Sequence, residues 1–335
     1  MPVGPTAPGP ATPDLAPDDD APEDDAAVDD APADDVSDDD VRPGVAAPTD
    51  PSAAALISVV VPLFVARPEP SVLHPAFARF LDQFVDDPAA ELVLSDSGPA
   101  RPENPVADAL AAEVRARPSL AGRVRYLYAA RDDGPLSRGA AMNLGVEHSR
   151  GPILLFLHID CALPGGALDA IRGAVAGGKE GGGFLKRYAG KSRFSPLHMT
   201  ERYLNDVRTR RGLNLVGTNA IFLTRERARR HPYRGDFLED VELSDWMRRA
   251  LGPERMIVLP TRVTVSARKY QKGGVLPSIA INAAVMLLYR LLRVRPSLLR
   301  RRLYHRRFAS GPAFWWEWLG TLLELLDEGG EGRGL

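Results

Sequence analysis

The chain has 335 residues, 44% of them hydrophobic, which is enough to build a substantial core. It holds one cysteine, Cys161, which excludes an internal disulfide framework, and it has no Cys/His cluster with zinc-ligand spacing. The net charge of −2 hides an asymmetry: Met1 to Ala55 carry 15 acidic residues and one basic residue, and the remainder carries 41 basic and 29 acidic.

The first 55 residues are rich in Asp, Ala and Pro and poor in large apolar side chains, a composition that predicts disorder. No basic stretch followed by an apolar run marks a secretory signal there. A solvated tail is the plainest reading; shielding of the basic body and partner binding are the alternatives.

The folded part is expected to begin near Leu56. Ile57 to Val65 form a β-branched run suited to a strand buried on both faces, with Pro62 expected to end its ladder. Phe77, Phe80, Leu81 and Phe84 follow at helix spacing. Glu91 to Asp96 predict a second strand, stopped by Ser97-Gly98-Pro99. A helix is expected from Val106 to Arg117, a strand from Arg123 to Ala129, and a helix from Ser137 to about His148. The apolar run Ile153 to Leu157 predicts a fourth strand, ending at His158-Ile159-Asp160. This alternation predicts an α/β fold with an open, mostly parallel sheet flanked by helices. Ligands of such sheets bind beyond the carboxyl ends of the strands, where Asp96 and Asp160 both fall. Further on, Gly181 to Tyr188, Val216 to Thr224 and Met256 to Ala267 predict strands, and Leu243 to Leu251 a helix. Beyond Leu276 the chain predicts helices that mix apolar and basic residues.

Asp160, after a buried strand, suits Mg²⁺ or Mn²⁺, because hard cations take carboxylate oxygen and complete their shell with water and phosphate. It could equally cap the next turn. His158 reads either as a second ligand or as a structural histidine. Cys161 suits small-residue packing better than nucleophilic chemistry. Glu239, Asp240 and Glu242 crowd a helix start, either to match its dipole or to supply a general base. Arg138 could pair with a diphosphate or be solvated; Asn143 lies five residues on.

The order of these pieces resembles the family 2 glycosyltransferases of the GT-A fold, and within them a bacterial subgroup with FLHADT where this chain has FLHIDC. The matching strings are ISVVVP at Ile57, LVLSDSG at Leu92, SRGAAMNLGVEHSRGPILLFLHIDCALPGGAL at Ser137, GGGF at Gly181, GTNAIFLTR at Gly217, FLEDVELSDWMRRAL at Phe237 and VTVSARKYQKGG at Val263. The resemblance implies a metal-dependent, inverting transfer of sugar from a nucleotide-sugar to an acceptor hydroxyl. It implies that Asp96 holds the nucleotide base and that Arg138 and Asn143 lie on the donor side. Asp160, with His158 in place of the first acid, would hold Mg²⁺ or Mn²⁺. Asp240 would be the general base, supported by Glu239. Arg268 and Lys269 would touch the diphosphate.

The expected organisation is an acidic tail over 1–55, a GT-A domain over 56–275 and a helical basic and apolar region over 276–335. Leu276 to Leu292 is short for a membrane span, but the arginines that follow and Trp315, Trp316 and Trp318 suit an interfacial helix on anionic lipid. A core helix with a solvated basic face, or a dimer contact, is the alternative. The expected location is the cytoplasm, including the inner face of the membrane. No base-stacking platform recommends nucleic acid as a partner. Competing functions are a nucleotidyltransferase, which would want a glycine-rich phosphate loop after the first strand, and a non-catalytic membrane-associated scaffold.

Overall fold

The first strand, β1 (Ile57–Leu63), is the hub of the sheet, paired in parallel with β2 (Ala90–Asp96) on one side and β4 (Ile153–Phe156) on the other. That position explains its unbroken apolar run, since both faces are covered. Pro62 does not end it. A proline removes only a donor, and the next carbonyl, of Leu63, still accepts the backbone N–H of Ser97 at 2.9 Å. The computed structural model describes residues 56–65, 68–99, 103–129, 136–189, 196–234, 237–267, 270, 275–292, 294, 296–304 and 312–331. The predicted disordered tail and the expected diphosphate contacts Arg268 and Lys269 lie outside these residues.

The full sheet has seven strands in the order β3-β2-β1-β4-β6-β5-β7, with β3 at Val124–Tyr128, β5 at Gly181–Tyr188, β6 at Phe222–Thr224 and β7 at Met256–Val265. Pairing is parallel except around β6, which runs antiparallel to both β4 and β5. The chain leaves β1 towards β2 and returns to β4 on its other side, so the strand order reverses between β1 and β4. A crevice at that switch point is where open α/β sheets hold ligands.

Helices α1 (Pro70–Leu81), α2 (Pro105–Arg115), α3 (Arg138–Glu147) and α4 (Ala167–Ala176) connect these strands. Phe77, Phe80, Leu81 and Phe84 all enter the main core, as their spacing predicts. Ser137 caps α3, its hydroxyl accepting the Ala140 N–H at 3.2 Å. In its last turn, Gly145 packs against Val60 with no room for a Cβ.

The second half departs further from expectation. Only Phe222–Thr224 of the strand predicted from Val216 is extended. Gly217–Asn219 is a tight 3₁₀ turn, followed by Ala220 at φ 46°. The Asn219 side chain explains this: its Oδ1 accepts the Val216 N–H at 3.1 Å and its Nδ2 donates to the Phe184 carbonyl at 2.7 Å, replacing a ladder. Helix α5 (Pro196–Tyr203) runs into a π-helical segment, Leu204–Arg211, and α6 (Arg225–Arg230) follows β6; sequence patterning foresaw none of the three. Helix α7 (Glu239–Ala250) begins four residues before the predicted Leu243, directly after Leu238 in the left-handed region at φ 64°. Leu238 and Val241 pack with Val285 and Leu288 of the helix Val275–Leu292 and with Leu325 of the helix Pro312–Glu331. Among the described residues, no helix is long and apolar enough to cross a membrane.

Candidate active site

Four loops converge at the carboxyl ends of the central strands. The turn after β4 supplies His158 and Asp160, the start of α3 supplies Arg138, the Gly217–Asn219 turn lies beside them, and the start of α7 brings Glu239 and Asp240.

Asp240 is the centre of this group. Its Oδ2 accepts the Gly217 N–H at 2.6 Å and lies 3.8 Å from Arg138 Nη2. Glu239 is buried and accepts a hydrogen bond from Arg138 Nε, so one guanidinium orients both acids. The two carboxylates also face the positive end of α7. Asp240 keeps 14% of its side chain exposed against 2% for Glu239, so Asp240 is the more accessible of the two acids.

Gly217 is required by close approach. A Cβ there would stand 2.8 Å from His158 Nε2 and 3.3 Å from Asp240 Oδ2. The same measurement puts the His158 imidazole and the Asp240 carboxylate beside one backbone position. Desolvation and the charge of Arg138 push the His158 imidazole down to about 4, so it is neutral near pH 7.

Asp160 is exposed, just past β4, and among the described residues its carboxylate makes no ion pair. No three His, Cys, Asp or Glu side chains among the described residues cluster as a complete metal cage. A hard divalent cation held by one or two protein ligands and completed by substrate phosphates needs no such cage. The exposed carboxylate of Asp160, with a neutral imidazole two residues before it, fits that donor set.

The other expected site residues are placed differently. Asp96 ends β2, two strands from β4, and is 1% exposed. Its oxygens accept the Gly98 N–H at 2.8 Å and the Tyr126 hydroxyl at 2.6 Å, which shapes the turn after the strand. Asn143 bonds the backbone of Tyr233. Its Nδ2 donates to the Tyr233 carbonyl at 2.9 Å and its Oδ1 accepts the Tyr233 N–H at 2.8 Å, clamping the loop before α7.

Sequence reasoning missed Lys186. It sits on β5 with 4% exposure, its ammonium 3.4 Å from Thr218 Oγ1, and it feels the charge of Asp240. Its one sequence signal was a lysine inside a strand otherwise fit for burial, GGGFLKRY. A cleft of about 450 Å³ lies elsewhere, on the side of α7 facing the helix Val275–Leu292, lined by His231, Glu242, Asp245, Trp246, Tyr289 and Arg290. It includes neither Asp160 nor Asp240.

No curated protein matches the sequence. Several solved structures are similar to this chain. The mannosyltransferase PcManGT of Pyrobaculum calidifontis, solved with GDP-Man and Mn²⁺, is 17% identical over 85% of this chain and 78% of its own, with a TM-score of 0.47. Residues 1–349 of S. aureus TarS are 14% identical over 82% and 81%, with a TM-score of 0.46. Glucosyl-3-phosphoglycerate synthase from Mycobacterium tuberculosis, with phosphoglyceric acid, is 17% identical over 70% and 80%, with a TM-score of 0.45. Residues 58–230, just over half of the 335, match the model of glycosyl transferase family 2, and the chain belongs to that family.

Proposed function

We propose that this glycosyltransferase performs a metal-dependent, inverting transfer in which Asp240 is the general base. The observation that carries this reading is the placement of Asp240: reachable by a ligand, fixed by the Gly217 amide, and next to Arg138. Asp240 takes the proton of an acceptor hydroxyl as that oxygen attacks the anomeric carbon. The bond from that carbon to the diphosphate oxygen breaks, and the nucleoside diphosphate leaves with the electron pair. Glu239 holds Arg138 in place, and Arg138 keeps Asp240 oriented. Asp160 and His158 would hold Mg²⁺ or Mn²⁺, which neutralises charge on the departing diphosphate. Asp96 and the turn after β2 would frame the nucleotide base, and Arg268 would reach the diphosphate. The acceptor class is a glycan, a lipid or a small molecule carrying a hydroxyl.

The test is donor turnover over a panel of nucleotide-sugars, with and without Mn²⁺ or Mg²⁺. Metal-dependent release of nucleoside diphosphate supports the reading. Pyrophosphate release from a nucleoside triphosphate and sugar phosphate would replace it with nucleotidyl transfer, and inertness with every donor would replace it with a scaffold.

A peripheral contact with anionic membrane at the cytoplasmic face is a further part of this reading. Trp315, Trp316, Leu319 and Leu323 are exposed on the helix Pro312–Glu331, within one or two turns of each other. Co-sedimentation with phosphatidylserine vesicles, lost on Trp316→Ser with Leu323→Ser, tests it.

A further inference from the structure

Lys186 holds a charge that the fold does not neutralise locally. Its side chain is buried, and no carboxylate lies within ion-pair distance of its ammonium among the described residues. Its polar partner is a neutral hydroxyl, Thr218 Oγ1, at 3.4 Å, and the Tyr188 ring lies 5.7 Å away. A buried cation without a matched acid is costly to keep.

The surroundings hold it there with care. Asn205 receives the Lys186 N–H on Oδ1 at 3.0 Å and returns a hydrogen bond from Nδ2 to the Lys186 carbonyl at 2.8 Å. Asn205 belongs to the π-helical segment, a form that occurs often at functional sites. Three residues on, the same segment carries Arg208. Its Nε donates to Asn214 Oδ1 at 3.1 Å, while its Nη2 is enclosed and makes no hydrogen bond. Lys186 and Arg208 repel one another, and both are attracted by Asp240. Both cations therefore lie near enough to the proposed base to feel its charge, Arg208 keeps an unpaired Nη2, and Thr218, on which Lys186 leans, is partly exposed.

We propose that Lys186, Arg208 and Thr218 form an anion-binding subsite beside Asp240 that takes a phosphoryl group of a bound substrate. An ammonium, a guanidinium edge and a hydroxyl offer donors to several oxygens at once, which suits a phosphoryl group. Burial foremost, and Arg208 next, pull the Lys186 ammonium down to about 8; an anion between the two would reverse that push. The phosphoryl group has two sources, the leaving diphosphate of the donor or a phosphate on the acceptor. Only the naming of these sources rests on the transferase reading.

The test is calorimetric titration of the full chain, without metal, with inorganic phosphate, UDP and GDP. Phosphate should bind the wild type and weaken by about tenfold or more in Lys186→Met, while Lys186→Arg keeps most of the affinity. Phosphate that still binds under saturating UDP or GDP identifies an acceptor phosphate. Phosphate displaced by UDP or GDP, with their own affinity reduced in Lys186→Met, identifies the leaving diphosphate. Should Lys186→Met fail to fold, Arg208→Gln carries the same expected loss. A wild type that binds no phosphate, or variants that bind it as tightly as the wild type, overturns the subsite. Lys186-dependent phosphate binding in a protein that turns over no donor would instead overturn the transferase reading alone.

Discussion

Two buried charges sit at opposite edges of the same sheet and are treated in opposite ways. At the amino edge, Glu91 on β2 accepts from Ser58 Oγ at 2.5 Å, Arg150 Nε at 2.6 Å and the Arg150 N–H at 2.5 Å. At the carboxyl edge, Lys186 on β5 has one neutral hydroxyl at 3.4 Å. Burial raises the Glu91 carboxyl, but the hydrogen bonds of Ser58 and Arg150 outweigh it and hold the group below its ordinary range. Burial of Lys186 meets no such answer, and its ammonium is driven down. A completed network needs nothing further and serves the fold. An incomplete one, near the acid proposed as the base, suits a component that arrives later.

Substitution can break this contrast, starting with the largest effect. Asp240→Asn should lower turnover by about 10²- to 10⁴-fold while leaving donor affinity near wild type, as steady-state rates and calorimetry would reveal. Unchanged turnover would remove the base from the carboxyl edge. Glu91→Ala should cost about 2–3 kcal/mol in denaturant unfolding, because Ser58 and Arg150 lose a shared acceptor. Lys186→Met should instead leave stability unchanged or raise it; a loss as large as that of Glu91→Ala would make the two edges alike. Asn143→Ala should cost about 1–2 kcal/mol by releasing Tyr233.

The pH dependence sharpens the same comparison. The Glu91 pKa is depressed in the folded chain, so its contribution is present above about 4.5 and fades as pH falls through the folded value. The Lys186 pKa is also depressed, from 10.5 to about 8, but for a base this has the opposite meaning. Between those values the unfolded chain binds the proton more tightly, so stability rises with pH across that window. Arg208 opposes the charge on Lys186, and Asp240 and Cys161 favour it. Thermal melts from pH 7.5 to 10.5 should show the rise in wild type and its absence in Lys186→Met (a window of roughly three pH units).

Much of the β3-β2-β1-β4 part of the sheet was legible because it depends on neighbours in sequence. Buried runs at Ile57 and Ile153 predicted strands that the structure has, and Asp160 was rightly placed just past the end of one of them. The acids Glu239 and Asp240 were visible as a cluster at a helix start. Arg138 and Asn143, expected on the same side, have different partners. Five residues turn a helix by roughly 140° beyond a full revolution, so their side chains diverge, one towards Glu239 and one towards Tyr233. Lys186 was not legible at all. Its meaning depends on Asn205, Arg208 and Thr218, which reach it only through the π-helical segment and the turn before β6. The antiparallel insertion of β6 escaped for the same reason, since a three-residue strand has too few positions to show a period.

Leu238 carries one more consequence. A buried leucine at φ 64° is unfavourable on its own, and it is held by apolar contacts with the two long C-terminal helices. Tyr289 and Arg290 add polar ties to Glu242 at 3.2 Å and Asp245 at 2.9 Å. The acids proposed for catalysis, Glu239 and Asp240, begin at the next residue, so the position of Asp240 is braced from outside the sheet. A chain shortened after β7 would keep every residue assigned here to metal and proton, yet lose the brace that points one of them at the substrate. The C-terminal helices are therefore part of the tool's mounting, and trimming them is predicted to blunt turnover before it unfolds the sheet.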